Sequence, residues 1–240
     1  MKAIVLSYDD RAPYVDLVLS SYKNKWRECP LQFVIPYNEH LPYHRNKHSA
    51  LNCKFVKTPK SVKQTMIKLL EDVDDDEFVY WCLDDIYPCK EFQANEVNSA
   101  YRFALANPNV GAIRLFRPPG VGRSRAFQTI GKTQYTRGFS HAGFWFHYFI
   151  RKQCLLPVFT HHTVDDDTSI NVLGPNRQRI GLKYDILFPV QNLATFGETT
   201  RGRKRITKNC HEDMKRYGIK PPEGTEYLKH SIFNNRRCDA

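Results

Sequence analysis

Two adjacent carboxylates, Asp84 and Asp85, follow directly on Phe78-Val-Tyr-Trp-Cys-Leu83, the most apolar run in the chain. Acids in that position are half desolvated and repel one another, so hydrogen bonds or a cation must compensate them. A divalent ion would serve, because Mg²⁺ takes one or two carboxylates and fills its other positions with water and phosphate oxygens. The plainer alternative is a strand-end turn in which one Asp caps the next helix. A second acidic group, Asp165-Asp166-Asp167, stands after His161-His162 and before a short helix expected at 168–173, which Gly174-Pro175 stops. Acids in the first turn of a short helix complement its dipole, which accounts for one or two of them. At least one is left that could face a cavity as a general base. His161 and His162 have no Cys or His at convincing metal-ligand spacing. The run Asp72-Val-Asp-Asp-Asp-Glu77 is more acidic still, but it precedes the apolar run and so belongs to the opposite edge, as a solvated loop.

Positive charge gathers late in the chain. The formal net charge is +11; residues 1–110 hold 14 Lys and Arg against 15 acids, whereas 111–240 hold 22 against 10. Such a basic half calls for a polyanionic partner: nucleic acid, an anionic membrane surface or a phosphorylated ligand. Its densest part follows Gly197-Glu198-Thr-Thr-Arg201-Gly202-Arg203-Lys204, and five of the eight residues 201–208 are basic. Arg supplies bidentate contacts and Lys a point charge, while Gly197 and Gly202 are expected to give the backbone freedom to wrap a diphosphate. A solvated basic tail is the alternative.

The elements that must position these groups are legible in the first half. Short runs rich in Val, Ile and Phe at 3–7, 32–36, 53–57, 78–83 and 112–116 read as strands covered on both faces. Helices are expected between them. The first carries Val15, Val18, Leu19, Tyr22 and Trp26 behind Pro13, and the second opens with the capping-box pattern Ser61-x-x-Gln64. The third spans 91–107 with Val97, Ala100, Tyr101, Ala104 and Leu105 inward, and Asn107-Pro108 stops it. This alternation predicts an α/β fold, a Rossmann-type, largely parallel sheet with helices on both faces and ligands beyond the carboxyl ends of its strands. After Phe116 the pattern loosens into a mixed α+β part. A loop opens at Arg117-Pro-Pro-Gly120, a hairpin turns at Gly131-Lys132, and an aromatic segment at 139–150 is expected to be core. A strand at 184–190 and a short helix at 212–217 follow. One domain of 240 residues is expected, with 1–116 as a nucleotide-binding half, 117–208 as an acceptor and catalytic half, and 209–240 as a C-terminal helix and tail.

The order of these features resembles the GT-A type nucleotide-diphospho-sugar transferases, in particular bacterial-type glycosyltransferases with an Asp-Asp, DxD-like motif. The shared order is a Rossmann-like half, the strand ending in Asp84-Asp85, the aromatic segment, the acidic cluster and the late Gly-Glu-x-x-Arg-Gly-x-Lys stretch, from about residue 2 to 208. The resemblance implies a sugar-nucleotide donor, a glycan or lipid-linked acceptor, and a Mn²⁺ or Mg²⁺ ion bridging Asp85, with Asp84 beside it, to the donor diphosphate. It implies Ser7, Tyr8, Asp10 and Arg11 near the nucleoside and one of Asp165, Asp166 and Asp167 as the base. It also implies Glu198, Arg201 and Lys204 in the loop that meets the leaving diphosphate. Asp84-Asp85-Ile86 departs from strict Asp-x-Asp spacing, which leaves the metal ligand open.

Other readings explain less. A nucleic-acid binder accounts for the basic half but not for the acids after the apolar strand, and the chain carries no recognisable nucleic-acid-binding motif. Nucleotidyltransferases share the Rossmann-like half, yet they carry a glycine-rich loop after the first strand, where this chain has Ser7-Tyr-Asp-Asp-Arg-Ala-Pro13. With 41% hydrophobic and 25% charged residues, disorder, collagen-like repeats and coiled coil are excluded. No stretch approaches the ~20 apolar residues of a membrane span, and Met1-Lys-Ala-Ile-Val5 leads straight into a strand-like segment. Seven unpaired-looking cysteines favour a reducing, cytoplasmic compartment, with peripheral attachment to an inner membrane face permitted by the basic half.

Overall fold

The computed structural model describes residues 1–40, 51–117, 128–138, 144–168, 183–198, 205–206, 208–216, 218–223 and 225–227. The expected strands form β1 (Lys2–Leu6), β2 (Gln32–Tyr37), β3 (Asn52–Lys57), β4 (Phe78–Leu83) and, after the short β5 (Ile86–Pro88), β6 (Val110–Arg114). They join β7 (Gln128–Ile130), β8 (Thr133–Gly138), β9 (Tyr148–Arg151) and β10 (Asp185–Pro189) in one sheet of order β3-β2-β1-β4-β9-β6-β10-β8-β7. The pairs β1–β2, β2–β3, β1–β4 and β6–β10 are parallel, which gives an α/β fold with a mostly parallel but mixed sheet.

The mixture enters through the aromatic segment. β9 inserts antiparallel between β4 and β6, with Trp81 opposite Tyr148 and Arg114 also opposite Tyr148. A strand buried on both faces has the same apolar composition whichever way it runs, so its direction could not be read from the residues. The insertion also means that strands from the expected nucleotide-binding and catalytic halves hydrogen-bond within one sheet. The hairpin of β7 and β8 turns at Gly131, whose φ of 61° suits a glycine. β8 runs antiparallel to β10.

Helices cover both faces. Val15, Val18, Leu19 and Tyr22 of α1 (Ala12–Lys25) are buried, as the spacing predicts, and Pro13 sits in its first turn. Tyr22 packs edge-on to Tyr80 of β4, while Tyr101 of α3 (Ala94–Ala106) meets Phe78 on that same face. The next β4 residue, Trp81, points the other way, to Phe159 of α4 (Lys152–Thr160). That face also carries α2 (Val62–Leu69), packed on α4. The Ser61 hydroxyl caps α2 by accepting the Gln64 N–H at 3.3 Å; the Gln64 side chain does not return to complete the box. Leu105, expected inward on α3, is 51% exposed, because the helix turns Val97, Ala100, Tyr101 and Ala104 to the sheet and leaves Leu105 off that face.

The amino ends of the parallel strands are closed by one cation. Arg151, at the end of β9, donates from Nε to the Val110 carbonyl at 2.9 Å and from Nη2 to the Ala104 and Asn107 carbonyls at 3.1 and 3.2 Å. Its Nη1 reaches the Asp76 carbonyl, and the guanidinium lies 4.4 Å from the Phe78 ring centre. Lys152 donates to the Val73 carbonyl at 2.6 Å and pairs with Asp75 at 3.2 Å. The acidic run Asp72 to Glu77 therefore lies at the edge opposite Asp84-Asp85, with its acids largely in solvent.

Candidate functional site

At the carboxyl edge the chain leaves β1 at Leu6 and β4 at Leu83, two residues paired in parallel. Ser7 and Arg11 come from the first exit, Asp84 and Asp85 from the second, and the four meet. The Asp84 carboxylate accepts the Ser7 hydroxyl at 2.8 Å and Arg11 Nε at 3.2 Å on one oxygen, and Arg11 Nη2 at 3.0 Å on the other. The Arg11 carbon-centred charge sits 4.2 Å over the Tyr14 ring, one turn further along. Burial alone would lower the Arg11 pKa; the charge of Asp84 and its hydrogen bonds outweigh that and raise it. Arg11 Nη2 also stands 3.8 Å from an Asp85 oxygen. The two acids differ in exposure: 12% of the Asp84 side chain is accessible against 31% of Asp85.

Asp84 is thus compensated by Ser7 and Arg11, which fix the orientation of the turn. Neither acid caps a helix, since the turn leads into β5. Asp85 is the more accessible of the two, and a carboxylate there could serve an ion that takes one protein ligand and completes its shell with water and phosphate oxygens. Among the described residues no group of three or more His, Cys, Asp or Glu side chains could hold a metal ion. Asp85 is the residue that could hold a Mn²⁺ or Mg²⁺ ion at this edge.

The neighbouring residues divide by role. Tyr8 is 47% exposed and Asp10 is exposed, both on the rim. Asp9 turns inward. Its oxygens accept backbone N–H groups from Asn38 at 2.6 Å, Glu39 at 2.8 Å and His40 at 3.3 Å, tying the exit of β1 to that of β2. Desolvation works against the Asp9 carboxylate, but these three donors outweigh it and hold the carboxyl below its ordinary pKa. Sequence reasoning misses Asp9, because a carboxylate just past a strand, facing another strand's exit, has no local signature.

The route to the basic stretch is set by β11 (Phe196–Glu198), which pairs antiparallel with β5 and places Phe196 opposite Pro88, Gly197 opposite Tyr87 and Glu198 opposite Ile86. Glu198 is thus in register with the residue that directly follows Asp85. Gly197 is needed for space and not for freedom to wrap a ligand: a Cβ there would lie 2.5 Å from the Tyr87 ring. Arg201, Gly202 and Lys204 lie outside the described residues, as does the Glu198 side chain. The short pair of β12 (Arg205–Ile206) and β13 (Glu226–Tyr227) and the helix α5 (Lys208–Arg216) follow.

The second acidic cluster lies by the amino end of α2, which follows β3 and so belongs to the same edge as Asp84. Asp165 holds its own turn, accepting the Thr168 hydroxyl at 2.7 Å and the Asp167 N–H at 3.2 Å. Asp166 accepts from the Ser61 hydroxyl at 3.2 Å and Gln64 Nε2 at 3.0 Å. Asp167 is exposed and makes no side-chain hydrogen bond or ion pair among the described residues. Asp166 and Asp167 occupy a turn, not a helix; of the helix expected at 168–173, Thr168 is not helical and 169–173 lie outside the described residues. The His161 and His162 rings are 4.0 Å apart, and His161 Nδ1 meets the Thr163 hydroxyl at 2.9 Å.

No protein-family model matches the chain, and no curated protein does. Among solved structures, a galactosyltransferase LgtC in complex with donor and acceptor sugar analogues is similar over 89% of this chain and 78% of its own, at 12% identity and a TM-score of 0.41. S. aureus TarS is similar over 90% of this chain but 38% of its own length, at 13% identity and a TM-score of 0.45. A 2-C-methyl-D-erythritol 4-phosphate cytidylyltransferase from Thermus thermophilus is similar over 91% of this chain and 98% of its own, at 10% identity and a TM-score of 0.44. All three likenesses are loose.

Proposed function

We propose that the protein is a glycosyltransferase that moves a sugar from a nucleotide-diphospho-sugar to a hydroxyl of a glycan or lipid-linked acceptor. The observation that carries this reading is the β5–β11 pairing, which starts the Gly197-Glu198-x-x-Arg201-x-x-Lys204 stretch beside Asp85 at the carboxyl edge. Ligands of such sheets bind at that edge.

Breaking the bond between the anomeric carbon and the diphosphate leaves negative charge on phosphate oxygens, so fixed positive charge is needed there. Arg11 is paired with Asp84 and Asp85, and Arg201 and Lys204 of the basic stretch are the residues that would meet the diphosphate. A Mn²⁺ or Mg²⁺ ion held by Asp85 would supply further positive charge to the same oxygens. Ser7, Tyr8 and Asp10 border the same edge, where the nucleoside would lie, and Tyr8 is 47% exposed there. The acceptor hydroxyl forms the new bond to the anomeric carbon, and its proton goes to a carboxylate, for which Asp167 is the member of its cluster without a structural task. The basic half would also hold the protein against an anionic leaflet carrying a lipid-linked acceptor. No helix among the described residues is long and apolar enough to cross a membrane.

A thermal-shift screen of nucleoside diphosphates with and without Mn²⁺ tests the reading. A ligand of the folded state alone raises Tm by mass action, by about 2.7 kcal/mol of stability at a hundred times its Kd. A rise with one nucleoside diphosphate, enhanced by metal, is the expected result. Salt-sensitive binding of DNA or RNA with no response to any nucleotide would overturn it.

A further inference from the structure

β9 pairs with β4 up to Tyr148 opposite Trp81, and there the backbone ladder between them stops. Two residues further along β4, the backbone N–H and carbonyl of Leu83 both lie against the His147 side chain, at 2.9 and 3.0 Å from Nε2. The other ring nitrogen, Nδ1, is 2.7 Å from the Tyr22 hydroxyl, which in turn lies 3.0 Å from the Tyr80 hydroxyl. The imidazole is fully buried. Its plane is within 13° of the Tyr22 ring, and the edge-on Phe196 ring of β11 is 5.2 Å away. One side chain therefore touches the last residue of β4, the helix α1 and the strand that leads to the basic stretch.

We propose that His147 is the positioning residue for the Asp84-Asp85 turn and couples it to β11. The chemistry of a neutral imidazole fits this place. With Nδ1 protonated, that N–H donates to the Tyr22 oxygen and Nε2 accepts the Leu83 N–H; with Nε2 protonated, it donates to the Leu83 carbonyl and Nδ1 accepts from Tyr22. Either tautomer ties the end of β4 to α1. Burial among aromatic rings pushes the imidazole pKa down to about 3, so the neutral form is the resident one. Without His147 the end of β4 has no partner on the β9 side, and Asp85 and Ile86 lose a fixed origin. The backbone role stands by itself; the consequence for ligand binding rests on the proposed glycosyl transfer.

The test is hydrogen–deuterium exchange of the unliganded full chain, comparing wild type with His147→Phe, which keeps the ring and loses both hydrogen bonds. Exchange at residues 84–86 and 196–198 is expected to rise about tenfold, while Phe78 to Tyr80, at the far end of the same strand, stays protected. His147→Gln, which keeps a polar atom near Nε2, should recover most of the protection. If His147→Phe does not fold, Tyr22→Phe removes the Nδ1 partner, along with the Tyr80 contact, while leaving the Nε2 bonds to Leu83, and should raise exchange at 84–86 by roughly threefold. Unchanged exchange at 84–86 in a folded variant overturns the proposal, as does a uniform rise across the whole of β4. UDP and GDP with Mn²⁺ serve as binding probes, each expected to weaken about tenfold in His147→Phe wherever the wild type binds. Failure of the wild type to bind any nucleoside diphosphate would sink the functional reading, whereas the exchange pattern judges His147 independently.

Discussion

Two buried arginines close the two ends of the sheet, and they do it by different chemistry. Arg151, at the amino ends of the parallel strands, meets carbonyl dipoles from α3 and from the turns before β4 and β6, and no buried carboxylate. Arg11, at the carboxyl ends, meets the buried Asp84 and the more open Asp85. A guanidinium satisfied by carbonyls is a rivet: its partners are backbone and cannot be exchanged for a ligand. A guanidinium shared between a buried and an accessible carboxylate holds an acid at the surface in a fixed place, and that acid can take a further partner. The amino edge therefore reads as structural and the carboxyl edge as the candidate site, although the amino edge carries the longest acidic run, Asp72 to Glu77.

Breaking the rivet should have the largest effect on stability. Arg151→Ala leaves several buried carbonyls without donors and is expected to cost about 3–5 kcal/mol in urea unfolding. Arg11→Ala strands the buried Asp84 and should cost about 3 kcal/mol. The paired change Arg11→Met with Asp84→Leu should recover most of that stability in the same assay while leaving nucleotide binding impaired, which separates the two roles. Asp85→Ala is expected to lower sugar transfer by roughly a hundredfold, against less than a twofold change for Asp75→Ala at the lower edge. Equal activity of those two variants would erase the contrast between the ends.

Acid stability sharpens the comparison further. His147 has a folded pKa of about 3 against an ordinary 6.5, so between those values the unfolded chain binds the extra proton. Its contribution is full above 6.5 and is lost as pH falls towards 3, with a slope of about 1.4 kcal/mol per pH unit. Denaturant unfolding from pH 6.5 down to 4 should show a flatter profile for His147→Phe than for wild type. At the small end, Leu105→Lys on exposed α3 surface should change stability by less than about 0.5 kcal/mol.

The strands of the first half, the cap at Ser61 and the hairpin at Gly131-Lys132 were legible because each rests on neighbours in sequence: an apolar run, a hydroxyl three residues from an N–H, a glycine at φ 61°. The site was legible only in outline. Asp84 and Asp85 are one residue apart, and nothing local says that Ser7 and Arg11 will satisfy the first and leave the second accessible. Gly197 reads as a flexible joint in the chain, yet its value is the space it leaves for Tyr87, a residue 110 positions earlier. Asp165 and Asp166 look equivalent to Asp167 until one closes its own turn and another docks on α2.

By itself the sequence determined which segments are apolar enough to be buried, where the acids follow the strands, and that positive charge collects late in the chain. Those are properties of residue type and spacing. The tertiary structure alone decided that β9 runs antiparallel through the middle of the sheet, that His147 extends the ladder just before β9 begins, and that Glu198 returns beside Ile86. These join residues 34 to 112 positions apart, and such pairings are chosen by the packing of the whole sheet, which no local pattern encodes.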